Sequence, residues 1–194
     1  RKVGYLGPQG TYCEAAVLSL YNTTEIELQP FTGIDEAIRA VSTGLVDESI
    51  VPVENSLEGS VTITLDTLAH DVDLYITQEI ILPVRHNLLA KKASGESAAI
   101  VSHPQALAQC RKTLHRLYPN ARLKPVESTA AAARIVASSD GLCAAIGSAQ
   151  AGTYYALQVV AANIQDDASN STRFIRLHRQ PLSQVTGKSK TSLV

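Results

Sequence analysis

Short apolar segments typical of β-strands alternate with helical patterns along almost the whole chain. Residues 3–6 form the first predicted strand, and a helix follows in which Thr11 and Glu14 have capping-box spacing. A second strand, a helix closed by Gly44 and a third strand come next. Residues 61–70 fit either class, because β-branched residues disfavour a helix while three apolar residues keep helical spacing. This alternation predicts an α/β fold with mainly parallel sheets.

The second half of the chain repeats the plan of the first half. Residues 37–56 and residues 132–151 share one order: helix, Ser/Gly-containing stop, strand and polar helix start. A single helix is predicted over residues 102–118, where Ser102 and Gln105 again have capping-box spacing. The repetition predicts two similar lobes.

Two extended segments, residues 74–91 and 172–179, are suited to connecting these lobes. We therefore predict lobe 1 over residues 1–77 and 171–180, lobe 2 over residues 78–170, and a basic, Ser/Thr-rich linker over residues 181–194. Two crossings form a hinge, so we expect a cleft between the lobes. Ligands of open α/β sheets bind beyond the carboxyl ends of the strands, which places the expected active site in this interlobe cleft.

Composition and charge exclude several classes of partner. Seventeen basic and eighteen acidic residues leave a net charge of −1, so no broad field attracts nucleic acid or an anionic membrane. No apolar run reaches the length of a membrane span. The histidines lack metal-ligand spacing, so no metal site is expected. The cysteines, Cys13, Cys110 and Cys143, are predicted to be reduced thiols of a cytoplasmic protein.

The predicted starts of the helices carry hydroxyl and amide side chains beside backbone N–H groups. Several such helix starts at one cleft would bind a small anion without a phosphate loop. Simple helix capping is the alternative for each Ser or Thr taken alone.

Two short motifs carry stronger candidates for chemistry. Glu54 and Asn55 follow an apolar strand, where a partly desolvated acid can hold or relay a proton; the alternative is that they tie down the next loop. Arg173 offers a bidentate grip for a carboxylate, and Thr172 offers a hydrogen-bond donor. Adjacent strand residues face opposite sides, so they share a cleft only if the backbone is irregular. In the alternative, Arg173 pairs with a structural acid.

Six motifs in this order resemble the prephenate dehydratase family: GPQGTYCEAA, VPVENSLEG, SHPQALAQC, ESTAAAA, AAIGSAQAG and IQDDASNSTRF. The resemblance extends to about Arg179. It implies two lobes like those of type II periplasmic binding proteins, and the conversion of prephenate into phenylpyruvate, carbon dioxide and water in phenylalanine biosynthesis. It also implies no cofactor and a homo-oligomer, a dimer or tetramer. Family members usually continue into an ACT domain that binds the effector phenylalanine, and this chain stops where that domain would start.

The resemblance also implies roles for individual residues. Thr172 would donate a hydrogen bond or proton to the leaving hydroxyl; alternatively Glu54 supplies the proton and Thr172 orients the group. Phe174 would shape the pocket of the ring. The other implied substrate-binding residues are Arg173, Asn55, Ser56, Thr11, Ser102 and Gln109, with backbone amides near Thr11 and Ser102.

Two alternatives to this function stay open on the sequence. An arogenate dehydratase would act on the amino analogue of prephenate. A non-catalytic two-lobed protein that binds small anions would share the architecture without the reaction, because fold does not settle function.

Overall fold

A computed structural model describes residues 1–22, 24–92 and 98–181. Its helices and strands follow in the order β1 (Lys2–Leu6), α1 (Tyr12–Leu18), β2 (Glu27–Phe31), α2 (Ile34–Ser42), β3 (Glu48–Asn55), β4 (Gly59–Ser60), α3 (Thr62–His70), β5 (Tyr75–Pro83), β6 (Asn87–Ala90), β7 (Ala99–Ser102), α4 (Pro104–Gln109), α5 (Arg111–Leu117), β8 (Arg122–Pro125), α6 (Thr129–Ser138), β9 (Cys143–Gly147), α7 (Ala149–Tyr154), β10 (Gln158–Ala161) and β11 (Ser171–His178).

The described chain divides into two compact units. Unit 1 comprises Arg1–Leu6, Ala16–Leu82 and the described residues from Thr172, and unit 2 comprises Gly7–Ala15 and Pro83–Ser171. The segment Gly7–Ala15, predicted to belong to lobe 1, is thus grouped with unit 2. One contact that accounts for this is the hydrogen bond from Ser148 Oγ to the Gly10 carbonyl, 3.0 Å. The predicted linker lies outside the described residues, except for Pro181.

Unit 1 is built on a sheet with the strand order β2–β1–β3–β11–β5, and β4 pairs with β3. β1 is parallel to both β2 and β3, whereas β11 is antiparallel to β3. Helix α2 packs on this sheet through buried residues that include Ala37 and Ile38. It ends before Gly44, whose φ of +79° suits glycine.

The segment that the sequence left ambiguous is helix α3. Its Thr64 and Thr67 are buried, and Thr64 Oγ1 donates a 2.6 Å hydrogen bond to the Pro52 carbonyl on β3. Leu68 packs against the apolar cluster that contains Val51 and Ile175. Tertiary packing of one helical face therefore outweighs the low helix propensity of the threonines.

Unit 2 is built on a second sheet, with the strand order β10–β6–β9–β7–β8. β7 is parallel to β8 and β9, while β6 is antiparallel to β9 and β10. Alternate residues of these strands enter two separate apolar clusters: Leu88 and Ile146 lie in one, Leu89 and Ala145 in the other. Helices therefore cover both faces of this sheet, and the predicted α/β class with two mainly parallel sheets is confirmed.

Two local predictions in unit 2 are wrong, and one strand was missed. Ser102 is not a helix cap, because it is the last residue of β7, is 0 % exposed and donates to the Ile146 carbonyl at 2.8 Å. The cap is His103, whose Nδ1 accepts from the Gln105 amide. The single helix predicted there is two helices separated at Cys110. Strand β10 was not predicted. Among the described residues no helix is long and apolar enough to cross a membrane.

Candidate functional site

Strands β3 and β11 of unit 1 bring both sequence motifs together. Their register places Thr172 opposite Asn55 and Arg173 opposite Glu54. The two motifs are more than a hundred residues apart in the chain, so only the pairing of the return strand joins them. The predicted grouping of these four residues is present in the structure of unit 1.

The Thr172–Asn55 pair is joined through the side chains. Asn55 Nδ2 donates to Thr172 Oγ1 at 2.9 Å. Asn55 Oδ1 accepts from the backbone amides of Leu57 and Glu58, at 3.0 and 3.2 Å. Two backbone donors hold the amide oxygen, so the NH2 group must face Thr172. The Thr172 hydroxyl is thus an acceptor toward Asn55, and this bond leaves its own proton unused.

The Arg173–Glu54 pair is an ion pair. Arg173 Nη2 lies 2.8 Å from Glu54 Oε2, and the two side chains are 37 % and 46 % exposed. Half-exposed ion pairs contribute only about 0–1 kcal/mol. Arg173 Nε is buried and has no acceptor among the described residues. The guanidinium is therefore weakly held on one side and retains an unpaired donor.

The ladder between β3 and β11 is irregular beside these pairs. The register shifts between Arg173 and Phe174, because Val53 is an additional residue on β3. An irregular backbone, which Thr172 and Arg173 need in order to share a cleft, is thus present, but the irregularity follows Arg173 rather than separating Thr172 from Arg173. Phe174 is 1 % exposed and belongs to the interior. Its implied role in a ring pocket stays a prediction. Ser56, just beyond β3, is exposed.

Unit 2 contains a chain of buried polar contacts that the sequence did not reveal. His86 is 3 % exposed; its Nε2 lies 2.7 Å from Gln109 Oε1 and its Nδ1 lies 2.9 Å from the Tyr12 hydroxyl. Asn170 Nδ2 donates to the same Gln109 oxygen at 3.3 Å. Tyr12 and His86 are 74 residues apart, so no spacing in the sequence links them. Only Gln109 was singled out as a candidate.

Burial sets the protonation states in this chain of contacts. It lowers the pKa of His86 from its usual value of 6.5, although the hydrogen bond to Gln109 acts in the opposite direction. It also raises the pKa of Tyr12 far above its usual range. The imidazole is therefore neutral and the phenol retains its proton at neutral pH.

The remaining predicted residues of unit 2 lie at starts of helices or in the sheet. Thr11 Oγ1 accepts from the Glu14 amide at 3.3 Å, as in a helix cap. The Glu14 carboxylate accepts from the Gly10 amide at 2.6 Å. Ser102 is 0 % exposed and its hydroxyl donates within the sheet, so this side chain is not presented to an anion.

Metal ligation and thiol chemistry find little support in the described part of the chain. It contains no cluster of three or more His, Cys, Asp or Glu side chains suited to a metal ion. Burial raises the pKa of both Cys13 and Cys110 to about 12, so these thiols are protonated and poor nucleophiles.

Comparison with known sequences gives a consistent result. The sequence model of the prephenate dehydratase family matches residues 3–182. A prephenate dehydratase of Lactococcus lactis subsp. cremoris is 39 % identical over 190 residues, which are 97 % of this chain and 67 % of the relative. Arogenate dehydratase 5 of Arabidopsis thaliana is 40 % identical over 197 residues, 100 % of this chain and 46 % of the relative. The chain therefore spans about half to two thirds of the lengths of these relatives.

A solved structure shows the same fold. Prephenate dehydratase from Arthrobacter aurescens, in complex with L-Phe, superimposes with a TM-score of 0.84 at 34 % sequence identity. The match covers 97 % of this chain and 63 % of that one.

Proposed function

Because this chain belongs to the prephenate dehydratase family, we propose that it carries the catalytic residues that convert prephenate into phenylpyruvate. The activity is that of a carbon–oxygen lyase in phenylalanine biosynthesis. The observation that carries the mechanism is the hydrogen bond from Asn55 to the Thr172 hydroxyl.

The reaction needs a proton at one atom of the substrate. The bond between the ring and its carboxylate breaks, carbon dioxide leaves, and the electron pair enters the ring. The carbon–oxygen bond across the ring breaks at the same time, and the departing hydroxide takes a proton to become water. The ring becomes aromatic, so the protein mainly has to position the substrate and donate to the leaving oxygen.

Thr172 is the proposed donor to that leaving oxygen. Asn55 already donates to Thr172 Oγ1, so the hydroxyl proton is directed elsewhere. Donation into the hydroxyl oxygen also makes its proton more acidic, because hydrogen bonds in a chain polarise one another. A threonine so placed can hydrogen-bond to the hydroxide as it leaves and pass its proton to it, with later recovery from solvent.

Glu54 is proposed to be the counter-ion of Arg173 rather than the proton donor. The ion pair uses Glu54 Oε2 as an acceptor at 2.8 Å. The pair is half-exposed and weak, so a substrate carboxylate can compete with Glu54 for the exposed part of the Arg173 guanidinium. Asn55, Ser56, Gln109 and the amides near Thr11 and Ser102 remain the other proposed substrate-binding groups, with Phe174 behind the ring.

The experiment measures phenylpyruvate formation by variants of Thr172. Thr172→Ala should lower kcat by roughly 10²- to 10⁴-fold, the usual contribution of a positioned proton donor, whereas Thr172→Ser keeps the hydroxyl and most of the activity. Thr62→Ala, at an exposed position of unit 1, is the matched control and should resemble wild type. Near-wild-type turnover by Thr172→Ala would disprove the assignment.

Glu54→Gln separates the two donor models. As a counter-ion, Glu54 can be replaced by its amide with kcat changed less than about tenfold, since a half-exposed ion pair is worth little. A relay through Glu54 requires a titratable carboxyl group and predicts a severe loss. The second outcome would transfer the role of donor to Glu54.

The substrate itself is tested by competition. The Arabidopsis relative is named an arogenate dehydratase, so prephenate and arogenate should be supplied together to one preparation; we expect phenylpyruvate to form faster than phenylalanine. Tight binding of prephenate without turnover would instead favour the non-catalytic alternative. A homo-oligomer, a cytoplasmic location and an effector site outside this chain complete the proposal.

A further inference from the structure

We propose that His86 and Tyr12 are positioning residues, which fix the side-chain amide of Gln109 with its NH2 group as the donor toward an anionic substrate. The inference rests on the proposed function, in which Gln109 binds a carboxylate of prephenate. All of the groups concerned lie in unit 2.

The amide orientation of Gln109 follows from its two partners. Asn170 Nδ2 donates to the amide oxygen of Gln109 at 3.3 Å. The same oxygen lies 2.7 Å from His86 Nε2. Gln109 Nε2 makes no hydrogen bond within the described residues, yet it is not a buried unpaired atom as Arg173 Nε is. Its two hydrogens are thus donors that a ligand can reach.

The tautomer of His86 follows from the same contacts. Because Gln109 presents an acceptor, the proton of the neutral ring sits on Nε2, and Nδ1 must accept. The Tyr12 hydroxyl donates to the Arg85 carbonyl at 2.8 Å and lies 2.9 Å from Nδ1, so in this tautomer its single proton is shared between these two acceptors. The two rings meet edge to face, with centroids 5.7 Å apart. The Gln109 oxygen thus selects the Nε2–H tautomer, and Tyr12 supports it through the share of its proton that Nδ1 accepts.

The backbone around this chain of contacts is also fixed. The His86 amide donates to Gln165 Oε1 at 3.0 Å, and the His86 carbonyl accepts from the Ile164 amide at 2.8 Å. The Gln109 carbonyl accepts from the Asp166 amide at 2.7 Å. A reversed Gln109 amide would present oxygen to a carboxylate and repel it. His86 and Tyr12 thus determine that the Gln109 amide directs its NH2 group, rather than its oxygen, toward the substrate.

A double-mutant cycle tests this role with prephenate as substrate. His86→Phe should raise KM roughly tenfold or more, with kcat little changed, because a hydrogen bond to a charged group present in ground and transition state alike is lost. Tyr12→Phe preserves the ring and should raise KM by a smaller factor. In a Gln109→Ala background, His86→Phe should have no further effect beyond about twofold.

Two matched controls have the same chemical changes elsewhere in unit 2. His115→Phe lies at an exposed position of helix α5, and Tyr118→Phe removes a hydroxyl that makes no hydrogen bond among the described residues. Both should retain the kinetics of the parent. An equal loss from His86→Phe in the wild-type and Gln109→Ala backgrounds would overturn the proposal, since that is the signature of general disruption.

A measurement without substrate separates failure of this inference from failure of the proposed function. In ¹⁵N NMR of the His86 ring we expect protonation at Nε2 in the wild type, and a mixture of tautomers in Tyr12→Phe. Protonation at Nδ1 in the wild type would overturn the inference, whatever the activity. A wild-type chain that neither binds nor converts prephenate, but has the Nε2–H tautomer, would overturn the proposed function and leave the hydrogen-bond order supported.

Discussion

The substitution Asn55→Asp reverses one hydrogen bond and leaves the surrounding turn in place. The carboxylate retains an oxygen in the position of Oδ1, which accepts from the amides of Leu57 and Glu58. It replaces the NH2 group, 2.9 Å from Thr172 Oγ1, by a second oxygen that can only accept. Thr172 must then donate its single proton to this oxygen and loses it for the leaving hydroxide.

The expected loss of kcat/KM follows from the hydrogen bond whose direction is reversed. A hydrogen bond that involves a charged group is worth about 1.5–3 kcal/mol, which corresponds to roughly 10- to 150-fold in kcat/KM. Repulsion between the added carboxylate and a hydroxide that carries developing negative charge acts in the same direction. The fold should be nearly unaffected, because the turn contacts persist. We expect a change in Tm below about 4 °C, the change produced by roughly 1 kcal/mol in a chain of this size.

The assay is phenylpyruvate formation from prephenate, with Tm measured on the same preparations. Asn120→Asp adds an equal charge at an exposed position and should match wild type in both measurements. If Asn55→Asp retains kcat/KM within threefold of wild type while it remains folded, the hydroxyl of Thr172 does not depend on Asn55. The mechanism proposed here would then be wrong.

Two further predictions concern stability. Glu48 is 0 % exposed and accepts from Tyr21 and, at 2.8 Å, from Arg176 Nε. Glu48→Gln should leave the Arg176 guanidinium, which is 20 % exposed, without its counter-charge and lower the unfolding free energy by about 1.5–3 kcal/mol in urea denaturation; a loss below about 0.5 kcal/mol would contradict this. Burial lowers the pKa of His86 below 6.5, so the unfolded chain binds the proton more readily. His86 therefore contributes stability that is present above pH 6.5 and lost as pH falls. In His86→Gln the urea midpoint should change less between about pH 7 and pH 5 than it does in the wild type.

Local patterns were sufficient to predict most of the fold. The helix that contains Ala37 and Ile38 has an apolar face, and Gly44 ends its last turn with positive φ, so both features are visible in the sequence. The predictions failed where a residue that is distant in the sequence determines the local structure. Ser102 has the spacing of a cap, but its hydroxyl is drawn to the Ile146 carbonyl of the neighbouring strand.

The same distinction applies to the residues of the candidate site. Thr172 and Asn55 could be proposed because their motifs are distinctive, and their pairing follows once β11 is placed beside β3. A structural acid as the partner of Arg173 was the alternative to a substrate-binding role, and Glu54 is the acid that lies there. Tyr12 and His86 could not be found, because an isolated buried Tyr or His in a sequence is usually a core residue.

Asn55 and Gln109 are suited to the proposed dianionic substrate because their neutral amides are oriented. Net positive charge contributes less. The chain has a net charge of −1, and the positive charge of Arg173 is already balanced by Glu54. In unit 1 two backbone amides hold the oxygen of Asn55. In unit 2 Asn170 donates to the oxygen of Gln109, and His86 does so in the proposed tautomer, so each amide presents its NH2 group as a donor. Fixed dipoles of this kind favour negative charge without the desolvation of an ammonium or guanidinium group. Inverting either amide should therefore impair the reaction more than removing the charge of Glu54.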